Sequence, residues 1–170
     1  TDGFGSDDKD LFNVDSSQYT GVDISKKMLE VAKKKYPRYK FLEENFYSHE
    51  GQYDFCISLF SIPDYFGLST ISKSYDLLKD NGMFVSTFIN KKGSYKKIHC
   101  IEENGIDYNP YSYTYEEIAN ELGFTWYYIL SIVDTTDSTD VQKMKNYLIY
   151  NKHSLAHAKY FFVIAQKNET

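Results

Sequence analysis

The chain predicts an α/β fold with a mostly parallel sheet, and three features of its sequence carry that prediction. Short apolar runs alternate with helical patterns along most of the 170 residues, the signature of strands exchanging with helices. Four of those runs are nearly continuous in hydrophobic residues, as expected of strands covered on both faces. An acid, Asp23, ends one run just where a helical pattern begins, and in open α/β sheets ligands bind beyond the carboxyl ends of the strands.

The strands are expected at 19–24 (YTGVDI), 39–44 (YKFLEE), 53–60 (YDFCISLF), 82–89 (GMFVSTFI), 125–133 (TWYYILSIV) and 159–166 (KYFFVIAQ). Helices fall between them. Residues 25–36 open on Ser25 as N-cap and stop at Pro37. Their lysines, 26, 27 and 33–35, read as a solvated face, with Met28, Leu29, Val31 and Ala32 turned away from it. Residues 68–79 carry Leu68, Ile71, Tyr75 and Leu78 at helical spacing, and Gly82 in the following KDNG suits a left-handed cap. Residues 114–122 begin with Thr114 and Glu117, the spacing of a capping box, and end at Gly123.

Length and composition, 42% hydrophobic and 25% charged, fit a single domain over 1–170 with a sizeable core. Two long segments, 90–112 and 134–158, are candidate insertions on the substrate side; a helix is expected around 139–150 in the second. A net charge of −5 argues against a broad nucleic-acid footprint, which needs a basic face. Cys56 and Cys100 are too few for a disulfide framework and form no metal knuckle, so a reducing cytoplasm fits. No run is long and apolar enough for a membrane span, and no signal-peptide pattern opens the chain. The chain reads as soluble.

An acid at a strand tip can accept both hydrogen bonds of a ribose diol. A fold that uses it so places a glycine-rich turn about 20 residues upstream. Gly3 and Gly5, in DGFGSDD (2–8), stand at that distance from Asp23, and glycines let a backbone approach a ligand closely. Asp23 also suits the plainer role of an acid favoured at a helix N-terminus.

These segments resemble the class I S-adenosylmethionine-dependent methyltransferases. GVDISKKMLEVAKKKYP is similar to the family's acid-ended strand and the helix after it, YKFLEENF to the third strand, and YDFCISLFSIPDYF to the fourth strand and its loop. LLKDNGMFVSTFIN looks like the turn into the fifth strand, SYTYEEIANELGF like the helix before the sixth, and KYFFVIAQK like the closing strand. The likeness spans roughly 2–133 and the last strand. It implies a Rossmann-like, doubly wound sheet whose last strand is antiparallel. Asp7 stands where the family's third glycine would fall, and the first strand, due before Asp2, is missing, so more residues are expected upstream.

The resemblance implies S-adenosylmethionine as cofactor, with Gly3 and Gly5 lining its methionine end, Asp23 on the ribose and Ile24 against the adenine. Asn45, or Glu44 beside it, meets the adenine amino group, and the stretch from Leu59 to Ser61 closes the site. Asp64 and Tyr65 are candidates for orienting the acceptor or taking its proton, although Pro63-Asp64 is also ordinary turn chemistry. Neither residue sits in the Asp/Asn-Pro-Pro-aromatic motif of base methylases. A small molecule or peptide is therefore the expected acceptor.

No metal site is expected. His153 and His157 have helical metal spacing but no third ligand and no adjacent glutamate, and they read as surface or packing residues. His99 lies in the 90–112 loop and suits a general base only if that loop covers the site. Tyr108, Tyr111, Tyr113 and Tyr115 suit either an acceptor wall or a half-buried edge. Two other functions stay open: a nicotinamide-dependent oxidoreductase, which shares the glycine turn and acid but lacks here a convincing Tyr-x-x-x-Lys pair, and a methyltransferase-like module without catalysis.

Overall fold

A computed structural model of the chain describes residues 15–59, 61, 63, 67–92, 111–122, 126–132 and 160–169, with the side chains of 131 and 132 left aside. The chain divides into two compact units, 1–51 and 52–170.

In the first unit a short 3-10 turn, Ser16–Gln18, leads into β1 (Thr20–Asp23), α1 (Lys26–Lys35) and β2 (Lys40–Glu43). β1 and β2 pair in parallel, Thr20 opposite Lys40 through Asp23 opposite Glu43, a pairing that requires a crossover such as α1 supplies. The expected cap is present: the Ser25 hydroxyl accepts the Met28 N–H. Leu29 is the one α1 side chain buried. Met28 and Val31, expected to be sheltered with it, are 40% and 57% exposed. Gly21 lies opposite Phe41, whose ring would stand 2.7 Å from a Cβ placed there. The missing side chain lets the ring lie against the β1 backbone.

The second unit holds β3 (Tyr53–Ser58), α2 (Ser69–Leu77), β4 (Leu78–Ile89), α3 (Tyr115–Glu121), β5 (Trp126–Ile132) and β6 (Tyr160–Gln166). The strand order is β3-β4-β6-β5. β3 runs parallel to β4, and β6 is antiparallel to both β4 and β5, so β3, β4 and β5 share one direction and β6 alone opposes them. This is the expected α/β sheet with an antiparallel last strand.

One face of that sheet forms the core. Phe84 and Phe88 of β4, with Phe161, Val163 and Ala165 of β6, pack against Ile71 of α2 and Ile118 of α3, all nearly or fully buried. On the opposite face of β3, Phe55 and Ile57 are exposed, so this strand's apolar run is covered on one side only.

Two local expectations change. β4 begins at Leu78, directly after α2, without a separating turn, and its register against β3 shifts between Tyr53 and Phe55. Within this irregular stretch Asn81, not Gly82, takes the left-handed conformation, with φ 62°, which asparagine visits more readily than most non-glycine residues; its side-chain amide donates to Glu169 Oε1 at 2.8 Å. Gly82 answers a different demand, since a Cβ there would meet the Lys79 carbonyl oxygen at 2.8 Å.

Candidate cofactor site

In the first unit the carboxyl ends of β1 and β2 bring Asp23, Ile24, Glu44 and Asn45 together. The Glu44 N–H donates to the Asp23 carbonyl at 3.1 Å, which fastens the two strand tips to each other. The Asp23 side chain turns the chain into α1: its Oδ1 accepts the Ser25 N–H at 2.7 Å. Oδ2 receives no hydrogen bond among the described residues, and the residue is half-buried. Ile24, beside it, is 65% exposed, an apolar surface at a polar rim.

Beyond β2 the chain closes a tight turn. The Asn45 carbonyl accepts the N–H groups of Ser48 and His49 at 3.0 and 3.1 Å and the Ser48 hydroxyl at 2.9 Å. Asn45 Oδ1 accepts the Tyr47 N–H at 2.9 Å, the side-chain-to-backbone bond typical of asparagine in turns. The turn folds His49 back until its Nδ1 lies 2.5 Å from Glu44 Oε2. His49 was not among the residues expected from sequence. The available signal was a histidine five positions after a strand-ending glutamate, with Asn45 and Ser48 as turn formers between them.

In the second unit, Leu59 and Ser61 follow the carboxyl end of β3 and are half-buried. The Ser86 hydroxyl of β4 donates to the Ser58 carbonyl at 2.8 Å, fixing that strand tip against its neighbour. Tyr113 belongs to the core rather than to an acceptor wall: it is 7% exposed, packs edge-on against Phe88 and directs its hydroxyl at the Pro63 carbonyl. Tyr111 is exposed and stacks on it. Gly3, Gly5, Asp64, Tyr65, His99, Tyr108, His153 and His157 lie outside the described residues. Among the described residues no three His, Cys, Asp or Glu side chains gather to hold a metal ion, and no helix is long and apolar enough to cross a membrane.

Residues 3–86 match the model of the methyltransferase domain family. That methyltransferase-domain match covers just under half of the chain. The match supports S-adenosylmethionine as the methyl donor, the molecule bound in one of the similar structures. No curated protein matches its sequence, whereas solved structures do. A Thermotoga maritima methyltransferase, described as a possible histamine N-methyltransferase, superposes with a TM-score of 0.63 at 14% identity, covering 88% of this chain and 72% of its own. An S-adenosylmethionine-dependent methyltransferase from Mesorhizobium loti gives 0.58 at 15% identity, covering 88% and 81%. Phosphoethanolamine N-methyltransferase 2 of Haemonchus contortus, in complex with S-adenosylmethionine, gives 0.60 at 18% identity and 89% coverage of this chain. The chain spans only 44% of that enzyme. Likeness at these identities establishes a Rossmann-like methyltransferase fold. The rim residues suit the donor's nucleoside, because a carboxylate with an unengaged oxygen stands beside an exposed apolar side chain.

Proposed function

We propose that the chain moves a methyl group from S-adenosylmethionine to a small-molecule or peptide acceptor. The observation that carries this reading is Asp23: a half-buried carboxylate at the carboxyl end of a parallel strand, inside the family-matched segment, with Oδ2 unengaged among the described residues. When bound, the donor would supply a sulfonium-borne methyl that passes in line to the acceptor as its bond to sulfur breaks, leaving a neutral thioether, so the protein's work is alignment and exclusion of water.

In this reading Asp23 accepts hydrogen bonds from the ribose hydroxyls and Ile24 packs on the adenine. Glu44 and Asn45 stand at the tip of β2 where the amino group of the base would be read. Gly3 and Gly5 line the methionine end, and Leu59 to Ser61 close the site. Asp64 and Tyr65 orient the acceptor, with the carboxylate able to take its proton. A small acceptor is supported by the family match and by two structural neighbours, one described as a possible histamine N-methyltransferase and the other as a phosphoethanolamine N-methyltransferase.

Incubation with S-adenosylmethionine and fractionated small molecules is expected to release S-adenosylhomocysteine. Once an acceptor is found, Asp64→Asn and Tyr65→Phe should lower kcat about 10²-fold and leave donor affinity unchanged. Full activity in both variants would remove them from the acceptor site, and the absence of turnover with every fraction, despite donor binding, would favour a module without catalysis.

A further inference from the structure

Among the described residues of the first unit His49 is the most buried ionisable side chain, at 7% side-chain exposure, and its partner Glu44 is 41% exposed. An ionised carboxylate only accepts hydrogen bonds, so the contact at 2.5 Å has His49 Nδ1 donating to Oε2. The backbone that carries the ring is held by the Asn45 carbonyl and side chain, and the ring itself is buried. Oε1 receives no hydrogen bond among the described residues. The result is a carboxylate with one oxygen fixed to a buried donor and the other turned loose at the rim, next to the strand tip that carries Asp23.

From this geometry we infer that His49 is a positioning residue: it locks the Glu44 carboxylate as a pure acceptor that reads the 6-amino edge of the donor's base and rejects a 6-oxo edge. The inference rests on the reading of Asp23 as the ribose ligand. A nucleoside held there has its base within reach of the neighbouring strand tip, since adjacent strands lie about 4.8 Å apart. A free glutamate would lose side-chain entropy on binding and could turn away from the wrong base. A locked one faces a 6-oxo group with acceptor against acceptor. Selectivity then comes from repulsion as well as from attraction.

The test compares binding of S-adenosylhomocysteine and S-inosylhomocysteine, which differ at that edge, to the full chain by calorimetry. Wild type is expected to prefer the adenine form by about 10- to 100-fold, the range for hydrogen bonds to charged groups. His49→Phe fills the same space without a donor and should reduce the ratio to about threefold or less. His49→Asn, whose amide nitrogen takes the place of Nδ1, should restore most of it. Loss of a merely structural histidine would weaken both ligands together and leave the ratio intact; that result overturns the inference. Should His49→Phe fail to fold, Glu44→Gln decides, because its amide can donate to a 6-oxo group: the preference should narrow or reverse, and an unchanged ratio overturns the inference. If wild type binds neither nucleoside, the donor reading itself fails and this inference falls with it.

Discussion

Cys56 packs against the core from β3, and burial pushes its thiol up to about 12. The thiolate is the reactive form, so at pH 8 in a Cys100→Ser background iodoacetamide should modify the native protein about 10³-fold more slowly than the unfolded chain, whose thiol titrates near ~8.5. Comparable rates would mean that β3 opens readily. Because the folded value lies above the unfolded one, the contribution to stability is complete below the unfolded thiol's range and is lost as pH rises toward about 12. Other single residues show which roles a sequence reveals. The Ser25 cap was legible because capping depends on three neighbouring positions. The core role of Tyr113 was not, because it depends on an isolated bridge to Asn90 and on Pro63, 50 positions away. The contact between His49 and Glu44 spans five positions with no helical or strand period, so no pattern rule singles it out.

The elements with local start signals form where expected. In α3 both halves of the capping box are present: the Thr114 hydroxyl accepts the Glu117 N–H at 3.2 Å and Glu117 Oε2 accepts the Thr114 N–H at 2.7 Å. The second bond holds the Glu117 carboxyl below the ordinary glutamate value, with Lys91 assisting. A depressed carboxyl stabilises the fold above its unfolded value, and that contribution disappears as pH falls through the folded one. Thr114→Ala should cost about 1 kcal/mol at pH 7, measured by urea denaturation. Glu117→Gln keeps an acceptor for the Thr114 N–H and loses the charge, so its smaller deficit should shrink below about pH 4, and a deficit independent of pH would detach the charge of the carboxylate from the cap. α1 was less well read. Its apolar positions are turned away from the lysines by spacing alone, yet only Leu29 is buried and Ala32 half-buried, and spacing cannot say how much sheet lies beneath a helix. The left-handed residue before the regular part of β4 differs from the expected one because glycine and asparagine both suit a positive φ, and the Lys79 carbonyl oxygen that would stand 2.8 Å from a Cβ at Gly82 is invisible in sequence.

At the scale of the molecule, strand direction was legible from the alternation of strands and helices and from the family likeness, and β6 opposes its neighbours as expected. The proposed cofactor rim rests on Asp23, which the sequence singles out because a strand, a turn and a helix start follow one another there within a few residues. The acceptor side was not, since nothing about Asp64 or Tyr65 separates catalysis from an ordinary turn. The central claim is that Asp23 grips the donor's ribose, and calorimetric titration of S-adenosylhomocysteine into wild type and Asp23→Asn tests it most directly. Asparagine keeps the acceptor for the Ser25 N–H but loses the charge and one of two ribose acceptors. Affinity should fall about 10- to 100-fold with an unchanged melting temperature; equal affinity in the two proteins would contradict the claim.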